Sequence, residues 1–87
     1  MKINDITHTV TFRLSEQWWD HTEAGRKTAD LRVLDEREYE EMMRIEPDRI
    51  RFLCTGKGEL TFKLTFVAEV MSGCGRHFVM FCWRPLQ

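Results

Sequence analysis

Three segments of the chain alternate between apolar and polar residues, and this alternation constrains the fold more than any other feature of the sequence. A period of two is typical of a strand that buries one face and exposes the other. The residues expected to face inward are His8, Val10, Phe12 and Leu14, then Ile50, Phe52 and Cys54, then Leu60, Phe62, Leu64 and Phe66. We therefore expect strands over residues 7–14, 48–54 and 60–70, the last with a bulge near Val67 or Ala68. Two other stretches, residues 28–34 and 77–83, are predicted as further strands.

Two short helices are predicted between the first three strands. Ser15 offers a capping oxygen before residues 16–24, and Gly25 supplies a stop at the other end. Asp35 is placed to cap a second helix over residues 36–45, which ends before a proline because the residue preceding proline avoids helical backbone. The paired tryptophans of the first helix are expected to lean on the sheet as core residues.

The length of the chain restricts these elements to one domain. A folded chain of 87 residues has little spare length for a second core, so we expect a single domain over residues 1–87. The predicted order is strand, helix, strand, helix and three strands, joined by short turns. This order predicts an α+β fold, a small barrel or strongly curled sheet of five to six strands with one or two short helices.

The formal charge of −1 conceals two segments of opposite sign. Residues 35–48 total −5, whereas residues 49–63 total +3. The small net charge argues against a protein that coats nucleic acid through bulk electrostatics, but it leaves room for a local basic site.

Cysteine usage and hydropathy indicate an intracellular chain without a metal. Cys54, Cys74 and Cys82 are odd in number and lack CxxC spacing, so we expect buried free thiols rather than a disulfide framework or a zinc ribbon. No apolar run is long enough to cross a bilayer, and the first residues lack the hydrophobic segment of a signal peptide. We therefore expect a cytoplasmic protein that does not associate with membranes.

The histidines are expected to have structural roles. His8 falls on the inward parity of the first strand, where a hydrogen-bonded structural histidine is expected. His21 on the first helix is expected to be exposed, and the spacing offers no partner for His77.

The segment of residues 25–32 carries the most chemistry. Gly25 permits a tight exit from the first helix, and Arg26 and Lys27 follow at the bend. Asp30 and Arg32 share a parity on the next strand and so point to one face, where Lys27 is able to reach them. A carboxylate between two cations fixes the cationic heads and leaves donors for a phosphate or a base edge. The alternative is an ordinary ion pair that closes the mouth of the barrel and binds nothing.

This segment resembles the signature of the ASCH domain, a family of the PUA-like superfamily, which reads Gly-x-Lys-x-x-(Glu or Asp)-x-Arg after a short helix. Gly25, Lys27, Asp30 and Arg32 each fall on a pattern position. The likeness extends from residue 8 to residue 52, with Trp19 at the family's aromatic position before the glycine. Proline replaces glycine where the family has a Gly-Asp-x-Ile-x-Phe stretch, which here is residues 47–52.

The resemblance implies a PUA-like barrel that binds RNA or a modified nucleotide, without a cofactor, in a cleft beside the motif. The ligand-binding residues that it implies are Gly25, Arg26, Lys27, Asp30 and Arg32.

An enzyme is the first alternative. One bacterial branch of the ASCH family is similar to an amidohydrolase acting on acetylated cytidine, with a motif lysine, a motif threonine as nucleophile and a later glutamate. Lys27 stands at the lysine position, whereas Asp30 stands where that branch has threonine, and only Glu59 and Glu69 offer a later glutamate. Lys27 and Asp30 are then the catalytic candidates, for this hydrolysis or for RNA cleavage.

A protein-interaction domain is the second alternative. The excess of negative charge over residues 35–48 suits a helix that binds a protein partner or mimics the charge of nucleic acid.

Overall fold

The computed structural model of the protein describes residues 1–84, which form one sheet of six strands and two short helices. In chain order the elements are β1 (Lys2–Asn4), β2 (Thr9–Arg13), α1 (Glu16–Glu23), β3 (Ala29–Asp35), α2 (Glu36–Ile45), β4 (Arg49–Cys54), β5 (Gly58–Gly73) and β6 (Arg76–Trp83). The predicted α+β class, with up to six strands and two short helices, is confirmed. The short strand β1 was not predicted.

The sheet is mixed and curls into a half-barrel. Its strand order is β1-β2-β4-β5-β6-β3, with β2 and β4 parallel and the other neighbours antiparallel. The first part of β5 pairs with β4 and the rest pairs with β6, with register shifts between Leu64 and Phe66 and between Glu69 and Met71. Such irregularities bend a strand and increase its twist, so the bend in β5 produces much of the curl of the sheet.

The core fills the concave side of this curl and confirms most of the predicted alternation. Val10, Ile50 and Phe52 are fully buried. The rings of Phe12 on β2 and Phe81 on β6 meet edge to face at 5.2 Å between centroids, although two strands separate β2 from β6 in the sheet. Each aromatic side chain buried in this way contributes roughly 1.5–3 kcal/mol to folding.

Both helices form where the sequence predicts them, but the predicted capping oxygen of Ser15 is wrong, since among the described residues its side chain makes no capping hydrogen bond at the start of α1. Asp35 and Glu38 form a reciprocal capping box, in which each carboxylate accepts from the backbone N–H of the other residue, at 2.8 and 3.0 Å. α2 covers the predicted residues 36–45 and ends at Glu46, whose φ of 53° is left-handed. α1 buries Trp19, whereas Trp18 is 44% exposed. The prediction that both tryptophans are core residues is therefore wrong for Trp18.

Two of the predicted inward positions are wrong. Phe66 is 56% exposed because the bulge in β5 lies before it, between Leu64 and Phe66, rather than at Val67 or Ala68. His8 precedes β2 and has a φ of 52°, so its side chain does not follow the alternation of the strand and is exposed. Its Nδ1 lies 2.9 Å from the carbonyl oxygen of Ile45.

The cysteines do not share one environment. All three are free thiols, but only Cys54 is buried, while Cys82 is half-buried. Cys74 is exposed at the tip of the turn between β5 and β6, so the prediction of a buried thiol is wrong there.

The outer face of β3, β6 and the second part of β5 is apolar. Four side chains on it are each about half exposed: Leu31, Val33, Phe66 and Met71.

Within residues 1–84, neither helix is long and apolar enough to cross a membrane.

Candidate functional site

The turn between α1 and β3 places the motif at one opening of the half-barrel. Gly25 adopts a φ of 80°, a left-handed conformation that ends the helix and that side chains disfavour. The backbone N–H groups of Arg26 and Lys27 then both donate to the carbonyl of His21, at 2.9 and 3.1 Å. These hydrogen bonds fix the direction in which the chain enters β3.

Lys27, Asp30 and Arg32 converge as the sequence predicts. Lys27 Nζ lies 2.9 Å from Asp30 Oδ1, and Arg32 Nε lies 2.6 Å from Asp30 Oδ2. Both carboxylate oxygens are therefore used, and the three side chains are only 17%, 16% and 27% exposed, respectively. We call these three residues the motif triad.

Lys27 directs its charge into the protein. Besides Asp30, its Nζ donates to the carbonyl of Ala29 at 2.7 Å. It also lies 5.7 and 5.5 Å from the ring centroids of Trp18 and Trp83, within the range of cation–π attraction. Lys27 thus fastens α1 and β3 to the end of β6, and its internal contacts leave little of its hydrogen-bonding capacity for a ligand.

Arg32 bridges the gap of the half-barrel. Its Nη2 donates to the carbonyl of Arg13 at 2.9 Å, which links edge strand β3 to the end of β2. Its guanidinium carbon lies 4.8 Å from the ring centroid of Phe12. Together with the hydrogen bond from Arg32 Nε to Asp30, these contacts hold the guanidinium in one orientation.

A cleft of about 350 Å³ opens beside Arg32. Its lining residues are Met1, Lys2, Thr11, Phe12, Arg13, Arg32 and Leu53. Three of them are cationic and, within the part of the chain that the structure describes, none carries a carboxylate. We call this space the Arg32 cleft, and it favours an anionic ligand.

The remaining motif residues do not line this cleft in the described chain. Gly25 shapes the turn. Arg26 is exposed, and its Nε donates a hydrogen bond to His21 Nδ1 at 3.1 Å. His21 is exposed, as predicted. Of the five predicted site residues, the structure therefore brings together Lys27, Asp30 and Arg32, and it pairs Arg26 with α1 instead.

The cleft residues on β1 and β2 were not predicted from the sequence. Lys2 lies on the unpredicted strand, and Arg13 was visible only as a polar residue on the outward parity of its strand. Their approach to Arg32 depends on the curl of the sheet, for which the local sequence carries no signal.

A second cluster of titratable residues, also not predicted from the sequence, surrounds His77. Its Nε2 lies 2.9 Å from Glu36 Oε2, its Nδ1 contacts the Glu69 carboxylate, and its ring stacks on Tyr39 at 3.9 Å between centroids. The hydrogen bond to Glu36, and then the one to Glu69, raises the pKa of His77 above its ordinary value. These partners come from α2 and β5, so only the tertiary fold reveals them.

The hydrolase alternative requires a glutamate later in the chain, and both candidates, Glu59 and Glu69, have partners outside the motif triad. Glu69 contacts His77, and Glu59 pairs with Arg51 across β4 and β5. Among residues 1–84, no ion pair or side-chain hydrogen bond joins either carboxylate to the triad.

Within residues 1–84, no group of three histidine, cysteine or carboxylate side chains lies close enough together to bind a metal ion.

Comparison of the chain with protein-family models, with curated proteins and with solved structures gives no significant match.

Proposed function

We propose that the protein binds RNA or a nucleotide, with the phosphate in the Arg32 cleft. The observation that carries this proposal is the fixed guanidinium of Arg32 in a cleft with two further cations, Lys2 and Arg13, and no lining carboxylate among the described residues. Guanidinium groups match the geometry of phosphate oxygens and hold them with two parallel hydrogen bonds.

Preorganisation supports the assignment to Arg32. Its hydrogen bonds to Asp30 and to the carbonyl of Arg13 already restrict the side chain before a ligand arrives. Ordering a flexible side chain at an interface costs about 0.5–1.5 kcal/mol, and this cost is reduced when the protein holds the group in place. The ligand then interacts with the guanidinium edge that these bonds leave open.

The dimensions of the cleft suit a nucleotide or a single strand. A volume of about 350 Å³ lies at the lower end of the range of small-molecule sites. The guanidinium that covers Phe12 also presents a flat cationic surface on which an unpaired base is able to stack.

Lys27 and Asp30 serve this site as positioning residues in the proposal. Asp30 anchors Arg32, and Lys27 anchors Asp30, so neither needs to touch the ligand. The resemblance of residues 25–32 to the ASCH signature supports the class of ligand, because PUA-like domains recognise RNA or modified bases, whereas the positioning role of Lys27 and Asp30 rests on their contacts alone.

The geometry favours binding over hydrolysis. The hydrolase alternative needs a nucleophile beside Lys27, and the group beside Lys27 is the doubly paired carboxylate of Asp30. The two later glutamates pair with His77 and Arg51 instead.

Titration of a fluorescent single-stranded RNA and of ribonucleoside monophosphates tests the proposal. Arg13→Ala removes a cleft cation but keeps the backbone carbonyl that holds Arg32, so affinity should fall about fivefold, equivalent to about 1 kcal/mol. The matched control is Arg26→Ala, which removes an exposed motif cation that does not line the cleft and should leave Kd unchanged. Equal losses in the two variants, or no binding by the unmodified protein, would contradict the proposal.

A further inference from the structure

The outer face of the first half of the sheet forms a cationic surface next to the Arg32 cleft. Its side chains point outward because the alternate residues Val10, Ile50 and Phe62 are buried in the core. Besides Asn4 and Leu53, the outward residues are Lys2 on β1, Thr9, Thr11 and Arg13 on β2, Arg49 and Arg51 on β4, and Glu59, Thr61 and Lys63 on β5. We call this set the basic face.

The basic face concentrates charge that the composition conceals. It holds five cationic side chains against one carboxylate, Glu59, in a protein whose formal charge is −1, and a second carboxylate, Asp5, borders it beside Lys2 and Arg51. Glu59 is paired with Arg51, so it does not neutralise the others. The other half of the outer face is apolar, with Leu31 and Val33 about half exposed, so positive charge is not a general property of the sheet exterior.

The placement of two cations on this face opposes folding. Arg49 on β4 lies directly opposite Lys63 on β5 in the antiparallel register. Like charges at directly opposed positions destabilise a sheet, whereas opposite charges there stabilise it. Stability therefore gives no reason for this pair, whereas a polyanion bound on the face would neutralise both cations.

The basic face and the Arg32 cleft are continuous. A shallow groove of about 420 Å³ runs over the basic face, and its lining includes Thr9, Thr61, Arg49 and the ion pair of Arg51 with Glu59. Thr11 lines both this groove and the Arg32 cleft. An extended anionic chain that enters the cleft at Arg32 can therefore continue past Thr11 to Arg49.

We infer that the basic face binds the phosphodiester backbone of a single-stranded RNA whose next phosphate occupies the Arg32 cleft. This inference rests on the proposed function and assigns its ligand to a strand rather than to a free nucleotide. Arginine side chains bind the phosphates, and threonine hydroxyls between them donate further hydrogen bonds. The basic face, as defined, has no aromatic side chain for base stacking, so its contacts are independent of base sequence.

The experiment compares a ribonucleoside monophosphate with an oligouridylate of roughly nine nucleotides, a typical length for one small single-strand-binding domain. Arg49→Glu should leave the affinity for the monophosphate unchanged and reduce that for the oligouridylate roughly fivefold or more. The salt dependence of oligouridylate binding should weaken by about 0.7 in the log–log slope for each phosphate that the variant no longer binds. The matched control is Arg37→Glu, which makes the same charge change on the exposed surface of α2 and should alter neither affinity.

The melting temperature of Arg49→Glu shows whether weaker binding comes from the lost contact or from a loss of folded protein. Arg49→Glu converts a like-charge pair with Lys63 into an ion pair, so the variant should melt at an equal or higher temperature while it binds RNA more weakly.

Two outcomes separate this inference from the proposed function. Normal oligouridylate binding by Arg49→Glu, with the affinity for the monophosphate still reduced in Arg13→Ala, would overturn the basic face and leave the Arg32 cleft standing. Loss of oligouridylate binding in Arg49→Glu, with the affinity for the monophosphate unchanged in Arg13→Ala, would overturn the cleft and the placement of the next phosphate there, and would leave strand binding to the basic face alone.

Discussion

The side chain of Arg32 donates a hydrogen bond of 2.9 Å to the backbone carbonyl of Arg13, and this bond joins two strands that are not neighbours in the sheet. β3 is an edge strand, and β2 lies four positions away from it in the strand order. The contact therefore depends on the curl of the sheet, and it unites the motif triad with the cationic residues of the cleft.

Replacement of Arg32 should affect stability as well as binding. Arg32→Ala removes the hydrogen bonds to Asp30 and to the Arg13 carbonyl, and hydrogen bonds of charged groups contribute about 1.5–3 kcal/mol. With Arg32 about a quarter exposed, we expect a loss near the lower end of that range, because solvent screens the interaction. Urea denaturation measures it, and Arg32→Lys should recover only part of the stability because an ammonium lacks the planar fork. Full recovery by lysine would contradict the bridging role.

Lys27 should prove more important for stability than for ligand contact. Lys27→Met keeps an unbranched apolar side chain at this position but removes the ion pair with Asp30, the hydrogen bond to Ala29 and the charge near the rings of Trp18 and Trp83. We expect the free energy of unfolding to fall by about 1–2 kcal/mol, since the partly buried Asp30 loses one of its two cations. The affinity of folded Lys27→Met for a ribonucleoside monophosphate should change less than that of Arg13→Ala. The opposite order would mean that Lys27 touches the ligand.

The His77 cluster should make stability depend on pH near neutrality. Hydrogen bonds to Glu36 and Glu69 raise the pKa of His77 in the folded protein, so the folded state holds this proton more tightly than the unfolded state does. The contribution is complete below the unfolded pKa of about 6.5 and is lost as the pH rises through the higher folded value.

Melting temperatures measured from about pH 6 to about pH 8 test this dependence. The unmodified protein should lose stability across that interval relative to His77→Gln, which retains a hydrogen-bonding side chain but does not titrate. Parallel pH profiles for the two proteins would show that His77 is not the source.

Two phenylalanines of β5 should respond very differently to substitution. Phe62 is 2% exposed, whereas Phe66, four residues later on the same strand, is 56% exposed because of the intervening bulge. We expect Phe62→Ala to cost about 3–5 kcal/mol, the usual range for a buried phenylalanine, and Phe66→Ala to cost less than about 1 kcal/mol. Chemical denaturation of both variants checks the position of the bulge, and similar losses would contradict it.

Sequence patterns predicted the local elements well because each depends on neighbouring residues. The alternation of Val10 with Phe12 and of Ile50 with Phe52 identified buried strand faces, and the capping pattern at Asp35 identified the start of α2. The motif triad was predictable for the same reason, since its three members lie within six residues of one another.

Sequence patterns failed where tertiary geometry decides. The bulge before Phe66 moved that side chain to the outer face, and a positive φ turned His8 away from its strand parity. The neighbours of Arg32 in the cleft and of His77 in its cluster come from strands and helices distant in the sequence, so no local spacing reveals them.

Nuclear magnetic resonance of the isotope-labelled protein during titration with a ribonucleoside monophosphate tests the central claim most directly. If the phosphate occupies the Arg32 cleft, the largest shifts should fall on the side-chain Nε–Hε signal of Arg32 and on the backbone amides of Thr11, Arg13 and Leu53. The exposed Arg26, which pairs with His21, should shift little. Unchanged signals from these cleft residues at saturating nucleotide, or shifts confined to the acidic helix α2, would contradict the claim.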